Sequence, residues 1–592
     1  MACAALALWF GAKREWHNLA MYGMIHADAQ GYYGYLVAIF IERSFDWQQV
    51  IAAYDQTYYG GGATDFTVMT DHGPVNKYYV GTAVLMLPFF LLSCIAAAVM
   101  GQPVDGYAVP FHVGMMLSAL FYAIAGLWLM GRYLRSKGFS IPVISATAFG
   151  VFAGTGLFFY TVMEPAMSHV YSFFLFSAFI FVADRAMAAP IRGRLLALAA
   201  VLALIALVRP TNAVIVLSLP FIAGGWRPFM GFLTAVFSDR RLLVPSVVVA
   251  ISIVALQLLM YQLQVGRPIV WSYSGEGFNF LAPEVMNVLF SFKKGLFIYY
   301  PWTLLATVGL IALTVRARAA ALWLLVFLGV AVYIISSWWS WFYGASFGMR
   351  AMVEYLPFFM VLMAYLLQAV PIEFRSGVMV LSFVAIPVNL IQTYQYNKFI
   401  LHWDQMDENR FWQVFLKTDR RYEGVLYRTV QEKELPAEDH IIHRYRVHND
   451  MEAERPDWGN QGRTDRLAFS GRYSCMISGA NPYGNTIGIP WGAMGPEGRK
   501  VLVATFIVRS EVERPALALA YSYNAGERNY GHDYLYCSEQ VNEKDQWCAI
   551  KLIAELPLAE SPEHHFVIYP YTTGADILFV DDIHYEFLTV KE

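Results

Sequence analysis

A chain whose apolar residues come in runs of about a membrane's thickness has few folds open to it. Here such runs occupy residues 1–12, 111–131, 141–160, 167–188, 195–208, 211–225, 243–264, 296–315, 319–337, 351–370 and 376–395, with a further one at 79–100. A helix rises about 1.5 Å per residue, so about 20 apolar residues cross a hydrocarbon core of ~30 Å. The pattern predicts an α-helical polytopic membrane domain of about 11 spans plus interfacial helices. Composition agrees: 57% of the 592 residues are hydrophobic, 15% are charged, and more than half of the charged ones follow Leu401. Soluble proteins average about 25% charged residues, so an ordinary cytosolic enzyme is excluded, as is a disordered chain. A net charge of −3 leaves no footprint for nucleic acid, and five cysteines are too few for a disulfide scaffold or zinc ribbon.

Orientation follows from lysine and arginine in the short connections. Four basic clusters, Arg132/Arg135/Lys137, Arg185/Arg192/Arg194, Arg227/Arg240/Arg241 and Arg316/Arg318, lie one hairpin apart and share the cytoplasmic side. The loops at 161–166, 265–295 and 338–350, and everything after about 396, then face outward. Residues 13–78 face outward too if 79–100 dips into the bilayer without crossing, the preferred reading because it collects the polar, aromatic-rich loops on one face. Twelve residues at the start cannot cross. Either that helix continues past Gly11 into Lys13, Arg14 and Glu15, or the start is truncated; a signal peptide would need a basic leading region. The run 195–225 is interrupted by Arg209-Pro210-Thr211-Asn212, and proline there predicts a tight, broken hairpin with Arg209 facing protein.

After a charged, aromatic connector at 398–430 the periodicity changes. Segments such as 500–509, 516–523 and 565–571 are short, β-rich and bounded by turn residues, predicting a soluble all-β sandwich over 431–592. Cys537 and Cys548 would either pair in an oxidising compartment or stay as buried thiols.

Ionisable groups near the ends of membrane helices are costly and therefore candidates for chemistry. Asp28 opens the run Asp28-Ala29-Gln30-Gly31-Tyr32-Tyr33-Gly34-Tyr35-Leu36, where it would also serve as a helix cap. Lys77 leads the 79–100 segment, where its ordinary role is a snorkelling anchor. Glu164 precedes Pro165 at a helix start, with His169 one turn on. The outward loop 338–350 is an aromatic belt followed by a glycine-containing run that closes on Arg350, with Glu354 beyond; it offers backbone N–H groups and a cation at headgroup depth.

In this order the pieces resemble the GT-C class of membrane glycosyltransferases, with a layout similar to the lipid A aminoarabinose transferase and protein mannosyltransferase group. There, too, an outward loop carries an Asp near a helix start, a Lys-led segment opens a helix that does not fully cross, an acidic residue precedes a proline, and a broken hairpin carries a cation. Asp28, Lys77, Glu164-Pro165 and Arg209-Pro210 stand in those places; the departures are Asn76 beside Lys77 and the short first helix. Ser470-Gly471-Arg472-Tyr473-Ser474 and Phe579-Val580-Asp581-Asp582-Ile583 resemble the first and last strands of carbohydrate-binding-module-like jelly rolls; such a domain either binds glycan or only braces the loops, and exposure of Trp458, Trp491 or Trp547 would favour the first.

The resemblance implies inverting transfer of a sugar from a polyprenyl-phosphate donor to a glycan, lipid or protein acceptor, at the periplasmic face of a bacterial inner membrane. Asp28 would be the base and Glu164 a second carboxylate. Lys77, Arg209 and Arg350 would hold the donor phosphate, and Tyr32, Tyr33, His169 and Glu354 would line the site. No cofactor is implied; a divalent metal is compatible with the class, although no ligand spacing calls for one. Two other functions compete. A transporter or flippase predicts paired broken helices and internal repeats, and only one broken hairpin is present. A membrane-anchored glycan-binding assembly protein would need one or two spans.

Overall fold

The computed structural model describes residues 2–12, 24–54, 66–273, 276–423, 426, 434–525, 528–556, 564–572, 574 and 576–591. Lys13, Arg14, Glu15 and part of the connector lie outside them. The chain divides into two compact units, Met1–Thr418 and Asp419–Glu592.

The first unit is helical. Among the described residues, six helices are long and apolar enough to cross a membrane: Gly81–Val99, Val109–Ser136, Ser168–Ala188, Arg240–Val265, Arg318–Ser336 and Arg350–Ala369. Two bent pairs, Ile141–Ala153 with Gly156–Val162 and Pro210–Ile222 with Trp226–Ser238, raise the number to eight if each is one span. By length and composition this gives six to eight against the 11 expected; some windows are short helices, as Ala2–Ala12 and Arg192–Val208, and others are broken. The 296–315 window divides into Leu296–Tyr299, Pro301–Thr307 and Gly309–Arg316. Pro301 lacks the amide needed to continue the preceding turn. Gly309 lies so close to the Leu362 carbonyl that no Cβ would fit.

Two ends of this bundle differ in chemistry. At one end Lys137 bonds Asp184 at 2.6 Å, Arg194 donates to the carbonyl oxygens of Arg185 and Ala189, and Trp226 stacks on Trp323. His169 lies near the other end of the Ser168–Ala188 helix, about 22 Å from Asp184 at 1.5 Å per residue. The basic turns therefore gather opposite the polar cluster described below. Gly81–Val99 is long enough to cross, but it starts beside the backbone of Leu207–Val208, at the far end of Arg192–Val208 from its basic start. From there it runs antiparallel to the first half of Val109–Ser136, with the Tyr122 hydroxyl donating to Leu85 O and Ser93 against Gly114. It thus leads away from the basic end.

The second unit is a two-sheet sandwich. One sheet has the order Trp547–Leu556, Arg499–Ser510, Leu578–Val590, Ser474–Ile477, Arg463–Thr464, and Ile441–Asn449 also pairs with Leu578–Val590. The other has the order Ile487–Pro490, His565–Thr572, Leu517–Ala525, Arg528–Tyr536. Alternate residues of both sheets, among them Leu502, Ile550, Leu519 and Phe566, fill one core between them. The two signature segments meet there: Asp581 accepts from the amides of Phe469 at 2.8 Å and Ser470 at 3.2 Å. Cys537 and Cys548 are free thiols.

Candidate functional site

Asp28 is delivered by a tightly held turn. The Tyr54 hydroxyl donates to Ile25 O at 2.8 Å, the Met24 amide donates to His112 Nδ1 at 2.9 Å, and Ala27 has a positive φ of 50° immediately before the helix Asp28–Val37. Arg350 comes from a turn that needs Gly348, whose φ is 57° and whose Cβ would collide with Tyr299 and Tyr300. Arg209 is extended, with φ −150°, because Pro210 follows it and disfavours helix at the preceding residue. Lys77 is fixed by its neighbours: Asn76 Nδ2 donates to Gly31 O at 2.7 Å, and the Ser272 hydroxyl donates to Lys77 O at 3.0 Å.

These segments bring opposite charges together. Arg350 binds Asp28 at 2.8 Å, Arg209 binds Glu354 at 3.1 Å, and Lys77 binds Glu276. His169 Nδ1 shares the same Glu354 oxygen at 3.2 Å, and Tyr160 packs on the imidazole. Burial opposes ionisation of Asp28. Arg350 beside it, a hydrogen bond from Tyr78 and the fields of Arg209 and Lys77 outweigh that and hold its carboxyl below the usual range. All three cations therefore act on one carboxylate. Glu164 stands apart from these pairs: its Oε1 is 3.9 Å from His26 Nε2, and its Oε2 is buried with no hydrogen-bond partner among the described residues.

Tyr32 belongs to the cluster, its ring tilted against Tyr78 with centres 4.7 Å apart and its hydroxyl accepting from the Ser168 hydroxyl. Tyr33 does not line it. Its ring packs on Phe90 and Tyr107 and its hydroxyl donates to Gly106 O, because the next residue along a helix points about 100° away. Glu354 is more than lining, being fully buried between Arg209 and His169.

Glu276, Tyr78 and His26 were missed as site residues. Glu276 lies in the 265–295 loop, beside Ser274 and Gly275, which lie outside the described residues. Lys294, in the same loop, is buried and donates to the carbonyls of Ser346 and Trp403. Among the described residues no three His, Cys, Asp or Glu side chains converge as a metal site. Asp28, Glu276 and Glu354 are each paired with a guanidinium or ammonium group, which leaves no set of free carboxylates of the kind a divalent ion takes.

On the sandwich, Trp458 and Trp491 are buried and cannot grip a ligand. The aromatic surface is made of tyrosines. Tyr569 and Tyr571 lie opposite Ala520 and Ala518, which in turn lie opposite Tyr534 and Tyr536. The alanines leave room for rings to meet above them, with Tyr534 and Tyr571 centred 5.3 Å apart and Tyr483 against Tyr569 and Tyr571.

No protein-family model and no curated protein matches the chain. Among solved structures, the arabinosyltransferase EmbB from Mycobacterium smegmatis aligns over 98% of this chain at 10% identity with a TM-score of 0.36, and the chain spans 64% of that protein's length. The CBM22-1 xylan-binding domain from Paenibacillus barcinonensis Xyn10C aligns over 25% of this chain and 94% of its own, at 16% identity and a TM-score of 0.18. The C-terminal family 22 carbohydrate-binding module of Clostridium thermocellum Xyn10B aligns over 26% of this chain and 97% of its own, at 12% identity and a TM-score of 0.17.

Proposed function

We propose that the chain is an inverting membrane glycosyltransferase of the GT-C kind. It transfers a sugar from a polyprenyl-phosphate donor to a glycan, lipid or protein acceptor at the outer face of a bacterial inner membrane, with the sandwich in the periplasm. The observation that carries this reading is the gathering of Lys77, Arg209 and Arg350 around Asp28, with Glu164 as a second carboxylate, at the end of the helical unit opposite its basic turns. A polyprenyl phosphate bonded to a sugar presents its phosphate at headgroup depth, and the charge that grows on that phosphate as the sugar leaves is what fixed cations stabilise. A carboxylate removes the acceptor's proton as the new glycosidic bond forms. No step runs through a metal.

Transfer is tested in membranes containing the full chain, offered labelled polyprenyl-phosphate sugars, by following released polyprenyl phosphate and labelled product. Asp28→Asn and Glu164→Gln should each lose about two orders of magnitude or more while remaining folded. A folded wild-type chain that consumes no such donor would sink the proposal.

A further inference from the structure

Two carboxylates face the proposed reaction, and their surroundings differ. Asp28 is committed: one oxygen is held by Arg350 at 2.8 Å, and Tyr78 hydrogen-bonds the same group. To take a proton it would have to surrender a partner that the leaving phosphate also needs. Glu164 is the reverse case. It sits between the end of Gly156–Val162 and Pro165, its side chain is 10% exposed, and Oε2 has no partner among the described residues. A buried carboxylate oxygen with nothing donating to it is unfavourable unless a group outside the chain completes it. An acceptor hydroxyl is such a group. The other oxygen faces His26, whose side chain is 33% exposed and opens a way out for a proton.

Resting on the transferase reading, we propose that Glu164 is the base for the acceptor hydroxyl, that His26 relays the proton to solvent, and that Asp28 is a positioning residue for Arg350. The step balances with no further reactant. The acceptor O–H proton passes to Glu164 Oε2, and the acceptor oxygen bonds the anomeric carbon. The bond from that carbon to the phosphate oxygen breaks, and its electron pair leaves on polyprenyl phosphate. Lys294, Tyr160 and Tyr300 also lie within electrostatic reach of Glu164, so its surroundings mix an ammonium with neutral phenols. The weakened basicity of Asp28 points the same way, since a carboxylate stabilised by adjacent cations accepts a proton less readily.

Azide separates the two roles, because it is an anion that needs no base and fits where a carboxylate has been removed. Full-length wild type, Glu164→Ala, Glu164→Gln and Asp28→Asn are given the polyprenyl-phosphate sugar with and without azide. The expected result is that azide restores donor turnover to Glu164→Ala by about tenfold or more. The product should be a glycosyl azide of inverted configuration, and Asp28→Asn should stay unrestored. Rescue of Asp28→Asn alone, or of neither variant when both fold, overturns the assignment. If Glu164→Ala does not fold, Glu164→Gln is read against a series of acceptor alcohols. A deficit that shrinks as the alcohol becomes more acidic supports the base role, and an equal deficit throughout overturns it. Wild type that consumes no donor defeats the transferase reading itself, whereas a wrong rescue pattern in an active wild type defeats only the base.

Discussion

At the scale of single residues the cluster is built from charges that have partners, and its most exacting member is Glu354. One of its oxygens serves both Arg209 and His169, and the residue has no exposure. Removing one partner of a buried ion pair typically costs about 3–5 kcal/mol, because the remaining charge is left uncompensated. Glu354→Ala is therefore expected to lower the melting temperature of the purified protein sharply. Glu354→Gln, which keeps an acceptor oxygen for Arg209, should recover much of the fold while still raising the donor KM; a wild-type KM in that folded variant would show that Glu354 does not position Arg209 for the phosphate. The sequence made Asp28, Lys77, Glu164, Arg209 and Arg350 visible because a charge in so apolar a chain is expensive and needs a reason. It left hidden which carboxylate meets which cation. Lys77 and Glu276 are almost 200 positions apart, and no local pattern encodes such a pair. Tyr32 and Tyr33 show the finer limit: composition treats them alike, and only the helical phase sends one into the cluster and the other to Gly106.

At the scale of elements, apolar runs located the long helices, but several of the windows hold short or broken helices. Hydropathy counts carbon and is blind to backbone direction, so the breaks at Pro301 and Gly309 passed unnoticed inside one window. Loops carry more of the organisation than their composition advertises. Lys294 ties its own turn to the carbonyls of Ser346, close to Arg350, and of Trp403 beyond the last long helix. Burial pushes its ammonium down to about 7, against the opposing pull of Asp404. The folded chain therefore binds fewer protons than the unfolded one between that value and the ordinary lysine range. Stability from this group is full above the ordinary range and is lost as pH falls through about 7. Thermal melting of detergent-purified protein should accordingly give a higher Tm at about pH 9 than at about pH 6, and Lys294→Met should flatten that difference. An unchanged slope in the variant would assign the pH dependence to another group.

At the scale of the whole molecule, a membrane unit with a cluster of paired cations and carboxylates is joined to a sandwich bearing a tyrosine platform. The sequence foresaw the sandwich from its short strands, yet of the three tryptophans it singled out the fold places Trp458 and Trp491 in the core and leaves Trp547 half-buried. The alternation of strands explains the substitution. Along His565–Thr572, Phe566 and Ile568 point inward, which turns Tyr569 and Tyr571 to the opposite face. Ala518 and Ala520 stand between them and Tyr534 and Tyr536, so five rings, Tyr483 included, form one surface edged with hydroxyls. Tyr483 and Tyr536 are half exposed, at 51% and 53%. Flat rings with hydroxyl edges suit sugar rings, which offer apolar C–H faces and polar rims. If the platform holds the acceptor glycan, Tyr536→Ala and Tyr571→Ala in the full chain should each weaken retention in glycan-containing gels by up to about tenfold, since an aromatic contact contributes ~0.5–1.5 kcal/mol beyond its buried area. If the proposed transfer takes place in the helical unit alone, cleavage of the polyprenyl-phosphate donor with a short soluble acceptor should be unchanged. Equal loss with short and long acceptors would mean that the tyrosines support the fold of the sandwich and not its grip on glycan.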